Sequence, residues 1–165
     1  MKNKNLSFMT QAAMIAAIYV VLTYIFAPFS FGEVQVRISE ALTILPIFTP
    51  AAIPGLFAGC LIGNILGGAI LPDIVFGSIA TLIGAFFTWK LREQKPVVAT
   101  FPPIISNIII VPFVLRYGYG VTLPIPFMML TVGIGEVLSC GVIGLVLQSA
   151  LKNYSHVIFR DTAKA

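Results

Sequence analysis

Three long stretches of the sequence contain no Asp, Glu, Lys or Arg: residues 5–32, 41–72 and 96–115. A helix that crosses the hydrocarbon core of a bilayer needs about 20 predominantly apolar residues, and each stretch is long enough to hold one. The composition agrees, since 58% of the residues are hydrophobic, only 10% are charged and the mean hydropathy is +1.00. A soluble domain needs more polar surface, so we expect an integral membrane protein.

The apolar segments predict helices, because the alternating pattern of a membrane β-barrel is absent. The first segment is too long and too weakly charged at its front to indicate a cleaved signal peptide. Prolines and charged residues divide the chain into six predicted helices within a single transmembrane domain, residues 1–165. These helices cover about residues 8–27, 36–48, 53–70, 72–89, 98–115 and 126–151.

The basic residues predict the orientation of the chain. They lie in three short segments: Lys2 and Lys4, then Lys90, Arg92 and Lys95, and finally Lys152, Arg160 and Lys164. Cytoplasmic segments carry such an excess of Lys and Arg. We therefore predict cytoplasmic N- and C-termini, which require an even number of membrane crossings, and six helices satisfy this condition.

Six further charged residues are not explained by this topology: Glu33, Arg37, Glu40, Asp73, Arg116 and Glu136. All of them fall in the outer half of the predicted bundle, where an ionisable group is costly and usually faces a cavity or a partner. Glu33, Arg37 and Glu40 are spaced by four and three residues, so they would share a helix face and could simply neutralise one another. Once Arg37 has paired with one acid, three acids and one arginine of this set remain. We therefore expect a substrate-binding site.

Aromatic and amide side chains occur near these charges in the sequence. A pocket that combines carboxylates, a guanidinium, amides and ring faces suits a flat, polar heterocycle. The ordinary interfacial belt of a membrane protein would explain the aromatic residues equally well. The residues concerned are Phe29, Phe31, Tyr117 and Tyr119, with the amides Asn64 and Asn107.

Small residues recur at helical spacing in two places. Gly55, Gly59, Gly63 and Gly67 are each four residues apart, and the pairs Ala12 with Ala16 and Ala13 with Ala17 have the same spacing. Such spacing lets another helix approach closely, either within the bundle or from a partner. For the glycines we expect packing within the bundle. Cys60 and Cys140 lie in apolar surroundings and are expected to be inert buried thiols.

Sequence motifs for catalysis are missing. The chain contains no G-x-x-x-x-G-K-[ST] phosphate loop, no H-E-x-x-H, and no G-x-S-x-G served by a histidine. We therefore expect no enzyme activity, no metal site and no cofactor. If the protein moves a solute uphill, an ion gradient or another subunit must supply the energy.

Three runs of residues resemble the queuosine-precursor transporter family, QueT. They are VQVRISEALTILPIFTPAAIPGLFAGCLIGNILGG, LPDIVFGSIATLIGA and GIGEVLSCGVIG. The resemblance implies the substrate-binding S component of an energy-coupling factor (ECF) transporter, a six-helix multi-pass subunit of the bacterial plasma membrane. Its implied partners are a transmembrane coupling protein and two ATPases. A strip of alanines on the first helix contacts the coupling protein in that family, which implies this role for Ala12 and Ala16 or for Ala13 and Ala17.

The implied cargo is a 7-deazaguanine such as preQ1 or preQ0. Glu40 and Glu136 would accept hydrogen bonds from its guanine-like edge or from the ammonium of preQ1, and Arg37 would orient Glu40 or meet the carbonyl. Asn107 would be a further donor, and Asp73 is the second choice of acid. Glu33 and Tyr117 complete the predicted site, and the loop 28–36 is a candidate lid.

Three alternatives remain open at this level. The nearest alternative is an S component for another vitamin, because the resemblance implies a fold that accepts many vitamins and discriminates among them by loop residues. A stand-alone, ion-coupled secondary transporter would use Glu136 or Asp73 as a proton carrier. An intramembrane enzyme with paired carboxylates is a third possibility, for which the sequence offers no substrate-linked motif.

Overall fold

The computed structural model describes residues 4–27 and 36–159, and within these ranges all regular secondary structure is helical. The predicted all-helical fold is therefore confirmed for the described residues. A short helix after the sixth one, named α7 here, was not expected from the sequence. The helices are α1 (Lys4–Ile25), α2 (Ile38–Ile47), α3 (Ala52–Leu66), α4 (Leu71–Lys90), α5 (Pro96–Tyr117), α6 (Ile125–Lys152) and α7 (Ser155–Ile158).

Four of the helices, α1, α4, α5 and α6, are long and apolar enough to cross a membrane. Two are shorter: α2 has 10 residues and α3 has 15. At the usual rises these helices extend over roughly 20 Å each, which is less than the hydrocarbon core of about 30 Å. The expectation of six membrane-spanning helices therefore holds, by length, for four.

Two segments depart from ordinary α-helical geometry. All of α2 is a 3₁₀-helix with Pro46 inside it, although runs of this geometry rarely exceed four residues. Within α6, residues Val137–Ile143 form a π-helical segment, a feature often found at functional sites. The predicted helix over 53–70 ends early, because the chain turns at Gly68, whose φ of +74° favours glycine.

The glycines of α3 pack directly against α1. A methyl group placed on Gly55 would lie 2.7 Å from the carbonyl oxygen of Ala12, and one on Gly59 would lie 2.7 Å from Cβ of Tyr19. The two helices run in the same direction, since Gly63 lies beside Thr23 farther along both. The predicted packing role is confirmed for these three glycines, whereas Gly67 caps the end of α3.

The helix α2 returns along α1 in the opposite direction. Thr23 donates a hydrogen bond of 2.8 Å to Ser39 at the start of α2, and Thr49, just after its end, donates one of 3.0 Å to Gln11. Phe159 stacks on Phe48 with ring centroids 5.7 Å apart. The start of α1 and the end of the described chain therefore lie at the same end of the bundle.

The helices α4 and α5 form an antiparallel pair. Thr88 donates a hydrogen bond to the carbonyl of Ala99, and Ser106 donates one to the carbonyl of Ala80. The basic segment 91–95 between them lies near the terminal end of the bundle, where Ala85 joins the apolar core. That core includes Ile15, Leu45 and Leu56, and the buried charged side chains lie outside it.

Candidate substrate-binding site

Five of the predicted site residues are buried in the helix bundle: Arg37, Glu40, Asp73, Asn107 and Glu136. They come from α4, α5, α6 and the region of α2, so the site depends on how these helices pack. The two glutamates are almost fully enclosed, with 1% of Glu40 and 5% of Glu136 exposed. A buried charge is unfavourable unless it is paired or hydrogen-bonded, and the contacts of each residue therefore matter.

Glu40 lies in the first turn of α2 and connects three helices. Its Oε1 accepts hydrogen bonds from the hydroxyl of Tyr19 on α1 and from Oγ1 of Thr81 on α4, the latter at 3.1 Å. Its Oε2 is buried and accepts no hydrogen bond from any described residue. Because an unsatisfied buried carboxylate oxygen is costly, Oε2 is well suited to accept a donor from a ligand.

Glu136 lies where the regular part of α6 passes into the π-helical segment. Its Oε2 accepts a hydrogen bond of 3.1 Å from the thiol of Cys140, and Asn107 on α5 also hydrogen-bonds to it. The sulfur of Cys140 in turn accepts a hydrogen bond of 3.4 Å from Oγ1 of Thr43 on α2. The π-helical turn thus joins α6 to both α5 and α2 at this carboxylate.

The two glutamates are close to each other. A carboxylate oxygen of Glu40, one of Glu136 and the sulfur of Cys140 all lie within 4.8 Å of one another. Two carboxylates and a thiol are donors that a metal ion such as Zn²⁺ accepts. In this structure, however, the thiol of Cys140 serves as a hydrogen-bond donor to Glu136.

Arg37 directly precedes α2 and is buried beside the acids. Its Nη1 lies 3.9 Å from the sulfur of Cys60, and its charge interacts with those of Asp73 and Glu40. Asp73 lies in the first turn of α4, where the helix dipole favours a negative charge. Arg37 and Asp73 therefore extend the polar cluster from Glu40 toward the end of the bundle opposite the termini.

The polar contacts continue between Asp73 and Glu40 through α3. Nδ2 of Asn64 donates to the carbonyl oxygen of Asp73 at 3.3 Å, and Thr81 contacts the sulfur of Cys60 at 3.4 Å. Oδ1 of Asn64 and Oγ of Ser139 are buried without a hydrogen-bond partner among the described residues. Like Oε2 of Glu40, these atoms keep unused hydrogen-bonding capacity: Oδ1 of Asn64 as an acceptor, and Oγ of Ser139 as a donor or an acceptor.

Tyr119 closes the cluster at the segment between α5 and α6. Its hydroxyl donates a hydrogen bond of 3.0 Å to Oδ2 of Asp73. Partial burial and the neighbouring carboxylate both raise the pKa of the Tyr119 phenol above its ordinary value. The phenol therefore remains a hydrogen-bond donor at neutral pH.

Tyr117 lies apart from the described cluster, so its place in the site stays a prediction. Its side chain is 78% exposed, stacks against Phe113 and lines an apolar surface groove of about 460 Å³ with Phe76. The physical reason is that α5 continues to Tyr117, which points outward, and the chain turns only afterwards. Glu33, with Phe29 and Phe31 of the candidate lid, lies outside the described residues.

The two alanine pairs of α1 differ in their surroundings. Ala12 and Ala16 are partly buried, and their backbone lies directly against Gly55 and Gly59 of α3. Ala13 and Ala17 are exposed. Of the two predicted partner-binding pairs, the second is thus the more accessible to another protein.

Sequence reasoning missed several members of the cluster. Tyr19, Thr81 and Ser139 are neutral residues in apolar helices and give no signal of their own. Cys140 is free and buried, as expected, and its thiol donates a hydrogen bond to Glu136. Its position four residues after Glu136 was a usable signal for this contact, because such residues share a helix face.

The chain is similar to members of one known protein family. A sequence model of the QueT transporter family matches residues 9–153. The Queuosine precursor transporter QueT of Lactococcus lactis subsp. cremoris (strain MG1363) is 33% identical over 84 residues, an alignment that covers 50% of this chain and 48% of that protein. No solved structure matches the chain. Since the family match extends over most of the sequence, the chain belongs to the QueT transporter family.

Proposed function

We propose that the protein is the S component of an ECF transporter and captures a 7-deazaguanine, preQ1 or preQ0, from outside the cell. It would cross the plasma membrane six times, with both termini in the cytoplasm. A transmembrane coupling protein and two ATPases would supply the energy. The protein itself binds the substrate and performs no catalysis.

The buried carboxylate of Glu40 is the observation that carries the proposal. Its Oε1 is held by Tyr19 and Thr81, while its Oε2 has no donor among the described residues. The N–H donors of a 7-deazaguanine, on its guanine-like edge or on an aminomethyl substituent, match this acceptor, and the ring carbonyl needs a donor such as Arg37. Both kinds of partner are buried in the bundle, which supports the proposal.

The distribution of charge supports the proposed orientation. The basic segment 91–95, the start of α1 and the end of the described chain lie at one end of the bundle, and the polar cluster extends toward the other. An excess of Lys and Arg marks the cytoplasmic side. The site would then load from outside, as capture of a scarce nutrient requires.

The comparisons support the proposed substrate class. The Lactococcus lactis relative is named for transport of a queuosine precursor, and its alignment covers about half of either chain. The chain also lacks an ATP-binding phosphate loop, which fits a subunit whose ATPases are separate proteins.

Calorimetry on the detergent-purified protein tests the substrate. We expect tight binding of preQ1 or preQ0 and little binding of guanine, riboflavin or thiamine. Replacing Glu40 by Gln should weaken binding about tenfold or more, because a charge-assisted hydrogen bond contributes on the order of 1.5–3 kcal/mol. The control is Glu93→Gln in the exposed basic segment. Tight binding of another vitamin alone would reassign the cargo.

Reconstitution into lipid vesicles tests the energy source. Uptake of the bound 7-deazaguanine should require the coupling protein, both ATPases and ATP. Uptake driven by a proton gradient in vesicles that contain this protein alone would contradict the S-component assignment. It would instead support a secondary transporter with Glu136 or Asp73 as the proton carrier.

A further inference from the structure

Acidic groups outnumber basic ones in the described part of the polar cluster. Glu40, Asp73 and Glu136 are carboxylates, and Arg37 is the guanidinium that lies among them. Two of the carboxylates, Glu40 and Glu136, approach within 4.8 Å of each other. Carboxylates so close in a buried site repel each other strongly unless a proton or a cation compensates them.

A second observation points to a ligand at the same place. Oε2 of Glu40 is buried and has no hydrogen-bond donor among the described residues. The carboxylate of Glu136 already accepts hydrogen bonds from Cys140 and Asn107. Glu40 therefore has a carboxylate oxygen that no described donor reaches, and it belongs to one of the two neighbouring carboxylates.

We infer that the Glu40–Glu136 pair recognises a positively charged substituent, so that the site selects a cationic 7-deazaguanine over neutral ones. The inference rests on the proposed function and narrows the proposed substrates from 7-deazaguanines in general to those with a cationic substituent. A protonated aminomethyl group, as in preQ1, supplies the charge. A nitrile at the same position, as in preQ0, supplies neither a charge nor an N–H donor.

The geometry of the pair suits an ammonium group. An ammonium carries three N–H donors and no acceptor, and its charge-assisted bonds to carboxylates are about 2.8 Å long. Two oxygens within 4.8 Å of each other can therefore both reach one ammonium nitrogen. A nitrile nitrogen is itself an acceptor and would face a carboxylate oxygen with its lone pair.

The test compares ligands that differ only in this substituent. We would measure by calorimetry, near neutral pH, the affinities for the aminomethyl, hydroxymethyl and nitrile forms of 7-deazaguanine. The hydroxymethyl form has nearly the shape of the aminomethyl form but no charge. The wild-type protein should bind the aminomethyl form at least about tenfold more tightly than either neutral form.

Replacement of one carboxylate should remove this preference. In Glu136→Gln we expect the ratio of aminomethyl to hydroxymethyl affinity to fall to within about threefold, while the hydroxymethyl affinity changes little. Retained binding of the hydroxymethyl form also shows that the variant is folded. Glu93→Gln, an exposed acid outside the cluster, should keep the full preference.

Three results would overturn the inference. Equal affinities of the wild-type protein for all three forms would exclude charge recognition but leave capture of a 7-deazaguanine intact. A uniform loss of affinity in Glu136→Gln would make that residue structural. Absence of binding to every 7-deazaguanine by folded wild-type protein would refute the proposed function together with the inference. If Glu136→Gln does not fold, the affinities of the wild-type protein for the three forms alone decide whether the site recognises the charge.

Discussion

Tyr119 donates a hydrogen bond of 3.0 Å to Oδ2 of Asp73, across 46 residues of sequence. The bond joins the segment between α5 and α6 to the first turn of α4. Asp73 also interacts with the charge of Arg37, so the segment is tied to the polar cluster itself. The bond therefore adds to the hydrogen bond that Arg116 donates to the carbonyl of Val121 in the same segment.

Replacing Tyr119 by Phe should loosen residues 118–124. The variant loses a hydrogen bond to a charged group while the ring is kept, so we expect faster amide hydrogen exchange in this segment. Exchange within α4 should change little outside its first turn. The matched control is Tyr117→Phe, whose hydroxyl belongs to a side chain that is 78% exposed. Equal exchange rates in both variants would show that the bond does not order the segment.

The phenol of Tyr119 should titrate above its ordinary range, because burial and Asp73 both raise its pKa. The folded protein then favours the protonated form, so the stabilisation is complete below about pH 10 and is lost as the pH rises through the raised pKa. The difference between the phenolate absorbance of wild type and Tyr119→Phe isolates this group. Replacing Asp73 by Asn should remove only part of the rise in the Tyr119 pKa, since burial is the larger cause. A full return to the ordinary value would make the carboxylate the main cause.

The charged members of the site were predictable from the sequence, because a charge within an apolar stretch is costly and therefore conspicuous. Glu40, Asp73 and Glu136 carry this signal individually. Thr81 and Tyr19 do not, since both residue types are tolerated on apolar helices. Their role follows only from the packing of α1 and α4 against α2, which brings both hydroxyls to Oε1 of Glu40.

Local geometry limited the remaining predictions. The apolar pattern of residues 36–48 predicts a helix but does not distinguish an α-helix from the 3₁₀-helix observed. Nor does the sequence indicate the π-helical segment that follows Glu136. Tyr117 and Tyr119 are two residues apart, yet α5 ends at Tyr117 and the chain turns directly after it, beside Ile70 and Pro72 at the start of α4. That turn brings Tyr119 to Asp73 and leaves Tyr117 on the surface.

Thr81→Val should weaken substrate binding without a large change in shape. Valine keeps the volume of threonine but cannot donate to Oε1 of Glu40, so the carboxylate loses one of the bonds that orient it. We expect the Kd for the 7-deazaguanine to rise about tenfold. Thr88→Val removes a buried hydroxyl that donates to Ala99, in the terminal half of the bundle. This control should lose comparable thermal stability and keep its Kd, and a similar loss of affinity in both variants would contradict a specific role for Thr81.

Gly59→Ala should destabilise the contact between α1 and α3. A methyl group there would lie 2.7 Å from Cβ of Tyr19 and 3.1 Å from Cα of Ala16, and overpacking of this kind costs about 1–3 kcal/mol. Gly63→Ala is the matched control, since its methyl group would lie 3.3 Å from Thr23 and the better helix propensity of alanine offsets part of the strain. Thermal unfolding in detergent should show a lower midpoint for Gly59→Ala than for Gly63→Ala. Equal unfolding midpoints would mean that α1 shifts away from the added methyl group of Gly59→Ala with little loss of stability.

Leucine at Ala13 and Ala17 should separate substrate capture from transport. These alanines are exposed on α1, and small residues at this spacing let a partner helix approach closely. The double variant should bind the 7-deazaguanine as the wild type does, yet its co-purification with the coupling protein should fall by on the order of tenfold or more. Ala150→Leu places the same substitution at an exposed position of α6 and should leave assembly unchanged. Normal assembly of the double variant would assign the contact with the coupling protein to another surface.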